Sequence, residues 1–230
     1  MRSYSPFDIA RTTSKYLLDI NGIIYNSETT FEFASGRLSP VYVDTRLIWS
    51  YPAIRNHIVD MAIYKICDVI GSRNFDVIAG GATAGIPLGV LVANRMDKPF
   101  IYVRGSRKGY GGNKQIEGYC DPGAKALLVD DLISGGSSKF SFLQVLGDAQ
   151  AQVEHVFVIF NYGFDEIDSG LWYAQGVNLH CMTDFKTTLD VAQELDKLPL
   201  VDIINIQKFL ENPDGWMENY SVGKILRNFY

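Results

Sequence analysis

Cysteine and histidine are scarce in this chain, three of each in 230 residues, and neither set is grouped. Cys67, Cys120 and Cys181 are far apart and odd in number, which excludes a disulfide framework and the paired spacings of zinc or dithiol sites. Reduced thiols are the expectation. His155 and His180 sit in strand-like runs, where a structural role is expected before metal ligation, and His57 is remote from both in sequence. No apolar run approaches the roughly 20 residues of a membrane span. The opening Met1-Arg2-Ser3-Tyr4-Ser5-Pro6 lacks the apolar centre of a signal peptide. The expectation is a cytoplasmic protein with no membrane partner. A surplus of positive charge is also missing: the net charge of −5 argues against a broad nucleic-acid surface. No internal repeat or inter-domain linker is evident. With 47% hydrophobic and 20% charged residues, the chain suits one α/β domain with a substantial core and a small appended subdomain.

Against these absences stands one rich stretch, Ala126-Leu127-Leu128-Val129-Asp130-Asp131-Leu132-Ile133-Ser134-Gly135-Gly136-Ser137-Ser138. Four apolar residues in a row read as a strand buried on both faces, as in a parallel sheet. Two carboxylates follow at its C-terminal end, where open α/β sheets place their ligands. Small residues then lead into a helix expected over Ser138–Leu146. Ser and Gly at a helix N-terminus leave backbone N–H groups uncovered, a ready anion site. Acceptors for sugar hydroxyls thus sit beside a phosphate cradle, as a ribose 5-phosphate requires.

The rest of the chain alternates strands and helices. An amphipathic helix over Asp8–Ile20 is stopped by Asn21-Gly22, and strands follow at Ile23–Tyr25, Thr30–Phe33 and Val41–Asp44 around a turn at Ala34–Pro40. Pro52 opens a helix running to Gly71. From Phe75 onward βα repeats imply a mostly parallel sheet: strands at Asp76–Ala79, Phe100–Val103, the Asp130 stretch, Val156–Phe160 and Val177–His180. Thr183-Asp184 caps a helix to about Leu195, and another covers Val201–Leu210.

Gly80-Gly81-Ala82-Thr83-Ala84-Gly85 is a second strand-to-helix turn of minimal side chains, open to a phosphate, although tight βα packing alone also favours Gly and Ala. Arg104 ends a strand, and Arg107 and Lys108 lie in a polar, glycine-rich segment from Gly105 to Gly118. Such a segment is a lid, a binding loop or a solvated basic loop.

The thirteen-residue stretch resembles the signature of the type I phosphoribosyltransferases. Together with Phe31–Arg46, Ile78–Pro87, Tyr102-Val103-Arg104…Lys108…Gly111 and Gln115-Ile116-Glu117-Gly118, it resembles the orotate phosphoribosyltransferases, in particular their Bacillus-like form. Phe160-Asn161-Tyr162 and the tail from Phe209 to Trp216 resemble it more loosely. The resemblance implies an α/β fold with a mostly parallel central sheet flanked by helices and a small N-terminal hood. One domain would span residues 1–230, with about 1–50 forming the hood over the base and about 71–182 the core that binds phosphoribosyl pyrophosphate (PRPP).

The implied reaction is transfer of ribose 5-phosphate from PRPP to orotate, giving orotidine 5′-monophosphate and pyrophosphate in pyrimidine biosynthesis. The alternatives are the same fold acting on another base, or a weakened PRPP-binding relative serving as a sensor. By the same resemblance, Thr83, Ala84 and Gly85 meet pyrophosphate, as do Arg104, Lys108 and Tyr110. Asp130 and Asp131 hold the ribose. Leu132, Ile133, Ser134, Gly135, Gly136, Ser137 and Ser138 complete the PRPP site. Ser35, Gly36, Tyr42, Ser134 and Tyr162 are the implied orotate contacts, and Lys108, Asp131, Arg104 and Tyr110 the catalytic set. Mg²⁺ would ride on PRPP near Asp130 and Asp131 with no direct protein ligand. The implied assembly is a homodimer in which Lys108 lies on a loop that closes over the neighbour's site. Tyr110 stands where the family usually has His, Gly105 where many members have Lys, Ala34 where many have Lys, and Ser137 where Gly is common. Losing His and Lys removes positive charge and proton-donor capacity from the lid.

Overall fold

The computed structural model describes residues 3–25, 29–33, 36–105, 115–134, 137–164, 172, 176–219 and 224–226. Helix α1 (Pro6–Asp19) starts where local chemistry directs: Pro6 opens the first turn, and the Ser5 hydroxyl accepts the Asp8 N–H at 3.0 Å. Asn21 ends it in the left-handed region, φ 55°. Strands β1 (Ile23–Tyr25), β2 (Thr29–Glu32), β3 (Leu38–Ser39) and β4 (Val41–Val43) follow, with β1 antiparallel to β4 and β2 antiparallel to β3. Asp44 caps a 3-10 helix (Thr45–Ser50), and helix α2 (Pro52–Val69) carries Ile58, Met61, Ala62 and Ile66 on its buried face.

The core is then laid down as βα units: β5 (Val77–Gly81), α3 (Gly85–Met96), β6 (Phe100–Val103), β7 (Ile116–Glu117), β8 (Lys125–Ile133), α4 (Ser137–Asp148), β9 (Gln152–Asn161), β10 (Asn178–Asp184) and α5 (Phe185–Glu194). Six strands form one sheet in the order β10-β9-β8-β5-β6-β7, parallel except for β7 against β6. Val77 to Gly81 and Ala126 to Asp130 are buried without alternation, as strands covered on both faces must be. Helices α6 (Leu200–Glu211) and α7 (Pro213–Asn219) lead to β11 (Lys224–Leu226), which lies parallel to β2.

The mostly parallel sheet with flanking helices agrees with the expectation. Helix α1 packs on α5 and β10, and a buried hydroxyl cluster ties them: Ser14 lies 2.6 Å from Thr183 and 2.9 Å from Thr188. Strands β1 and β4 pair with each other, and β2 and β3 are joined by β11 from the far end of the chain. Five short elements, β3, the 3-10 helix, β7, α7 and β11, have no counterpart in the sequence reading.

Candidate active site

The strand order locates a crevice before any side chain is considered. From β5 the chain passes through α3 to β6 on one side, and from the adjacent β8 it passes through α4 to β9 on the other. The carboxyl ends of β5 and β8 are thus the topological switch point, where open α/β sheets bind ligands.

The β5 turn reaches this crevice with minimal side chains. Ala82 N–H donates to the Val103 carbonyl at 2.8 Å, and the Ala82–Thr83 peptide is cis. Glycine is required twice for close approach. A Cβ on Gly85 would lie 2.5 Å from the Val129 oxygen, and one on Gly81 would lie 2.7 Å from the Phe142 ring. Tight packing at Gly81 and Gly85 leaves the backbone between them, with Thr83 exposed and Ala84 half-buried, on the turn.

Strand β8 is longer than the sequence suggests and runs through both acids to Ile133. Successive side chains on a strand point to opposite faces, so Asp130 and Asp131 part company. Asp130 is 4% exposed; its Oδ2 lies 2.7 Å from Lys139 Nζ, and its Oδ1 accepts the Asp131 N–H at 2.9 Å. Burial lifts the Asp130 carboxyl, to about 7, against the pull of the Lys139 ammonium. Asp131 is half-buried and faces the crevice side, where its Oδ2 accepts the hydroxyl of the buried Thr45 at 3.1 Å. Ile133 is fully buried and Leu132 half-buried, so the side chain of Ile133 belongs to the core. Ser134 follows, half-buried, and Ser137 and Ser138 open α4.

Arg104 extends from β6 beside the glycine turn, since Val103 pairs with Gly81. Its guanidinium lies 3.2 Å from Glu117, donates to the Tyr102 hydroxyl at 3.3 Å, and sits over the Tyr102 ring. Arg104 N–H donates to the Gln115 carbonyl at 2.8 Å, and the Gln115 amide returns a bond to the Arg104 carbonyl at 3.1 Å. The ends of the polar segment are thereby clipped together.

On the hood side, the Tyr42 hydroxyl accepts from Arg46, whose guanidinium forks onto Asp44 at 2.7 and 3.0 Å. Gly36 turns the chain at φ +83° with open space around it. Tyr162, an orotate contact implied by the resemblance, lies in the core. It is 2% exposed, its ring meets Phe33, Phe160, Phe164 and Phe185, and its hydroxyl accepts the Val43 N–H at 3.0 Å. Burial pushes its phenol well above the ordinary tyrosine range. The hydroxyl is committed to holding β4 against the core. Ser35, Lys108, Tyr110, Gly135 and Gly136 lie outside the described residues, as do the side chains of Ser137 and Ser138.

Sequence reasoning missed Thr45, Lys139, Tyr102 and Glu117. Thr45 follows an Asp that reads as a strand end, and Lys139 reads as a surface residue of an exposed first turn. Neither spacing nor composition signals a partner distant along the chain.

No protein-family model matches the chain. It is 38% identical over 208 residues to the orotate phosphoribosyltransferase of Rhizobium meliloti, covering 90% of each chain. It is also 38% identical over 211 residues to that of Cereibacter sphaeroides, covering 92% of this chain and 91% of the relative. Among solved structures, the orotate phosphoribosyltransferase of Aeropyrum pernix superposes with a TM-score of 0.66 at 26% identity, over 80% of this chain and 99% of that one. The UMP synthase of Leishmania donovani shares the fold, with a TM-score of 0.74 at 24% identity over 87% of this chain and 42% of that one. Relatives this similar over nine-tenths of the sequence place the chain in the orotate phosphoribosyltransferase family.

Proposed function

We propose a division of labour among this chain's residues for the reaction of its family, transfer of ribose 5-phosphate from PRPP to orotate with release of pyrophosphate. The observation that carries it is Asp131, held by Thr45 between two turns of small residues at the switch point. Asp131 accepts hydrogen bonds from the ribose hydroxyls and orients C1 toward the base. The backbone around Thr83–Gly85 meets the pyrophosphate, and the Ser134–Ser138 loop with the N-terminus of α4 meets the 5-phosphate. Arg104 moves from Glu117 to the departing pyrophosphate oxygens and, with Lys108, stabilises their growing charge. Tyr110 offers a neutral hydrogen bond at the lid. Gly36, Tyr42 and Ser35 cover the base, and Ser134 touches it. No residue acts as a nucleophile: the C1–O bond loosens to an oxocarbenium-like transition state within a fixed geometry.

Mg²⁺ fits this donor set as an ion carried by the substrate. Asp130 is committed to Lys139 and Asp131 accepts the Thr45 hydroxyl. Mg²⁺ bound to PRPP oxygens keeps waters and needs few protein ligands; when bound it neutralises pyrophosphate charge. The working unit is a cytoplasmic homodimer in which the segment carrying Lys108 closes over the partner's crevice. The test is orotate consumption with PRPP and Mg²⁺, with other bases offered in parallel. Turnover of orotate supports the reading, turnover of another base alone redirects it, and PRPP binding without any turnover makes the protein a sensor.

A further inference from the structure

Lys139 is out of place by every local rule. It is the third residue of α4, in the first turn, where the helix dipole disfavours a cation. Its side chain is only 8% exposed, and Lys is almost never buried without a reason. A buried ion pair is also a poor stabiliser, since an apolar pair of similar volume often serves as well or better. The site supplies a reason that stability does not.

The Asp130 carboxylate that receives Lys139 is a junction. Its Oδ1 holds the Asp131 N–H at 2.9 Å, and its Oδ2 lies 2.7 Å from the ammonium. The backbone of the β5 turn rests directly on it: a Cβ on Gly81 would come within 2.9 Å of Oδ2, and one on Gly85 within 2.8 Å of Oδ1. Three chain segments therefore meet at this one ion pair. They are the pyrophosphate turn, the strand end with Asp131, and the first turn of the helix behind the 5-phosphate loop. Thr45 holds Asp131 from the other side.

We propose that Lys139 is a positioning residue for PRPP: through Asp130 it locks the first turn of α4 to the end of β8, setting the distance between that turn and Asp131. The inference rests on the reading of this crevice as the PRPP site. It predicts an effect mainly on PRPP, because the proposed orotate contacts other than Ser134 lie on the hood and not on this junction. Asp130 accordingly acts through Lys139 and Asp131, as a support beneath the ribose site.

The test uses the full-length protein, with PRPP binding measured by calorimetry in Mg²⁺ and turnover measured separately for each substrate. Lys139→Gln should weaken PRPP binding and raise the PRPP KM by about tenfold to a hundredfold, the scale of a lost charge-assisted bond. The orotate KM should stay within about twofold. Lys139→Arg should recover most of the loss, and Asp130→Asn with Lys139→Gln should be no worse than Asp130→Asn alone, as coupled sites behave. An unchanged PRPP affinity in Lys139→Gln, equal changes in both KM values, or fully additive losses in the double variant would each overturn the inference. If Lys139→Gln does not fold, Asp130→Asn with Lys139→Met carries the test, since neither charge remains; a folded form binding PRPP as the native chain does overturns it. A native protein that binds PRPP without consuming orotate fails the proposed function while still reporting on Lys139. A native protein that binds no PRPP overturns both.

Discussion

Adjacent side chains on a strand face opposite sides, and Asp130 and Asp131 make different contacts, Asp130 with Lys139 and Asp131 with Thr45. Asp131 is the acid open to the crevice, and Asp131→Asn should lower kcat/KM for PRPP by about tenfold to a hundredfold. The denaturation midpoint should barely move, because an amide oxygen can still accept the Thr45 hydroxyl at this half-buried position. An unaltered kcat/KM would remove Asp131 from the ribose site. Tyr162 poses the opposite case. Its hydroxyl accepts a buried backbone N–H, and Tyr162→Phe would leave that donor unsatisfied at a cost of about 1–3 kcal/mol. Denaturant titration should show that loss while the orotate KM stays within about twofold. A large rise in orotate KM at full stability would return Tyr162 to the base site. Neither distinction is visible in the sequence, where Asp-Asp reads as a pair and Tyr162 as an orotate contact implied by the resemblance.

Strands β9 and β10 pair in parallel and bring His155 and His180 together, with Nδ1 of one 3.1 Å from Nε2 of the other. Each was read from sequence as structural, and they satisfy one another. Burial first, then His155 and Lys65, hold His180 down to about 4. In the unfolded chain it titrates near 6.5, so between these values the unfolded state binds more protons than the folded one. Stability must then fall as pH drops through that window. Solvent reaches the half-buried pair, which limits the effect to at most about 2 kcal/mol. Urea denaturation at pH 7.5 and pH 5 should show a steeper acid loss in the native chain than in His180→Asn. Equal losses in the two proteins would mean that the pair carries no such linkage.

At the scale of the molecule, the sequence from Gly105 to Gly118 is nearly devoid of apolar residues, and Ile116 near its end packs on the core as part of β7. The Arg104–Gln115 clip fixes its two ends together at the edge of the sheet. A closing action over a partner's crevice predicts complementation between Lys108→Ala and Asp131→Asn chains. Mixed dimers contain one site with both residues intact and should regain up to about a quarter of native activity, half the dimers being mixed and one of their two sites being whole. This is a statistical estimate resting on the closed two-fold symmetry of such dimers. No recovery, with subunit exchange confirmed by mass, would assign the loop to its own crevice.

Residues 77–81, 100–103 and 126–130 declare buried parallel strands by apolar run alone, and small-residue turns after two of them declare phosphate sites. These signals are local, and they determined the α/β class and the strand ends that form the switch point. The contacts between residues remote in the chain were decided only by the tertiary structure. Thr45 reaches Asp131 across 86 positions, Tyr162 reaches Val43 across 119, and Ser14 reaches Thr183 across 169. Strand β11 completes a sheet with β2 from the opposite end of the chain. Even Lys139, nine residues from Asp130, reads as a solvated cation until α4 folds back over β8 and closes water out. Local periodicity reports which faces are apolar; which polar group meets which depends on desolvation in a packed interior, and that exists only once the layers have closed.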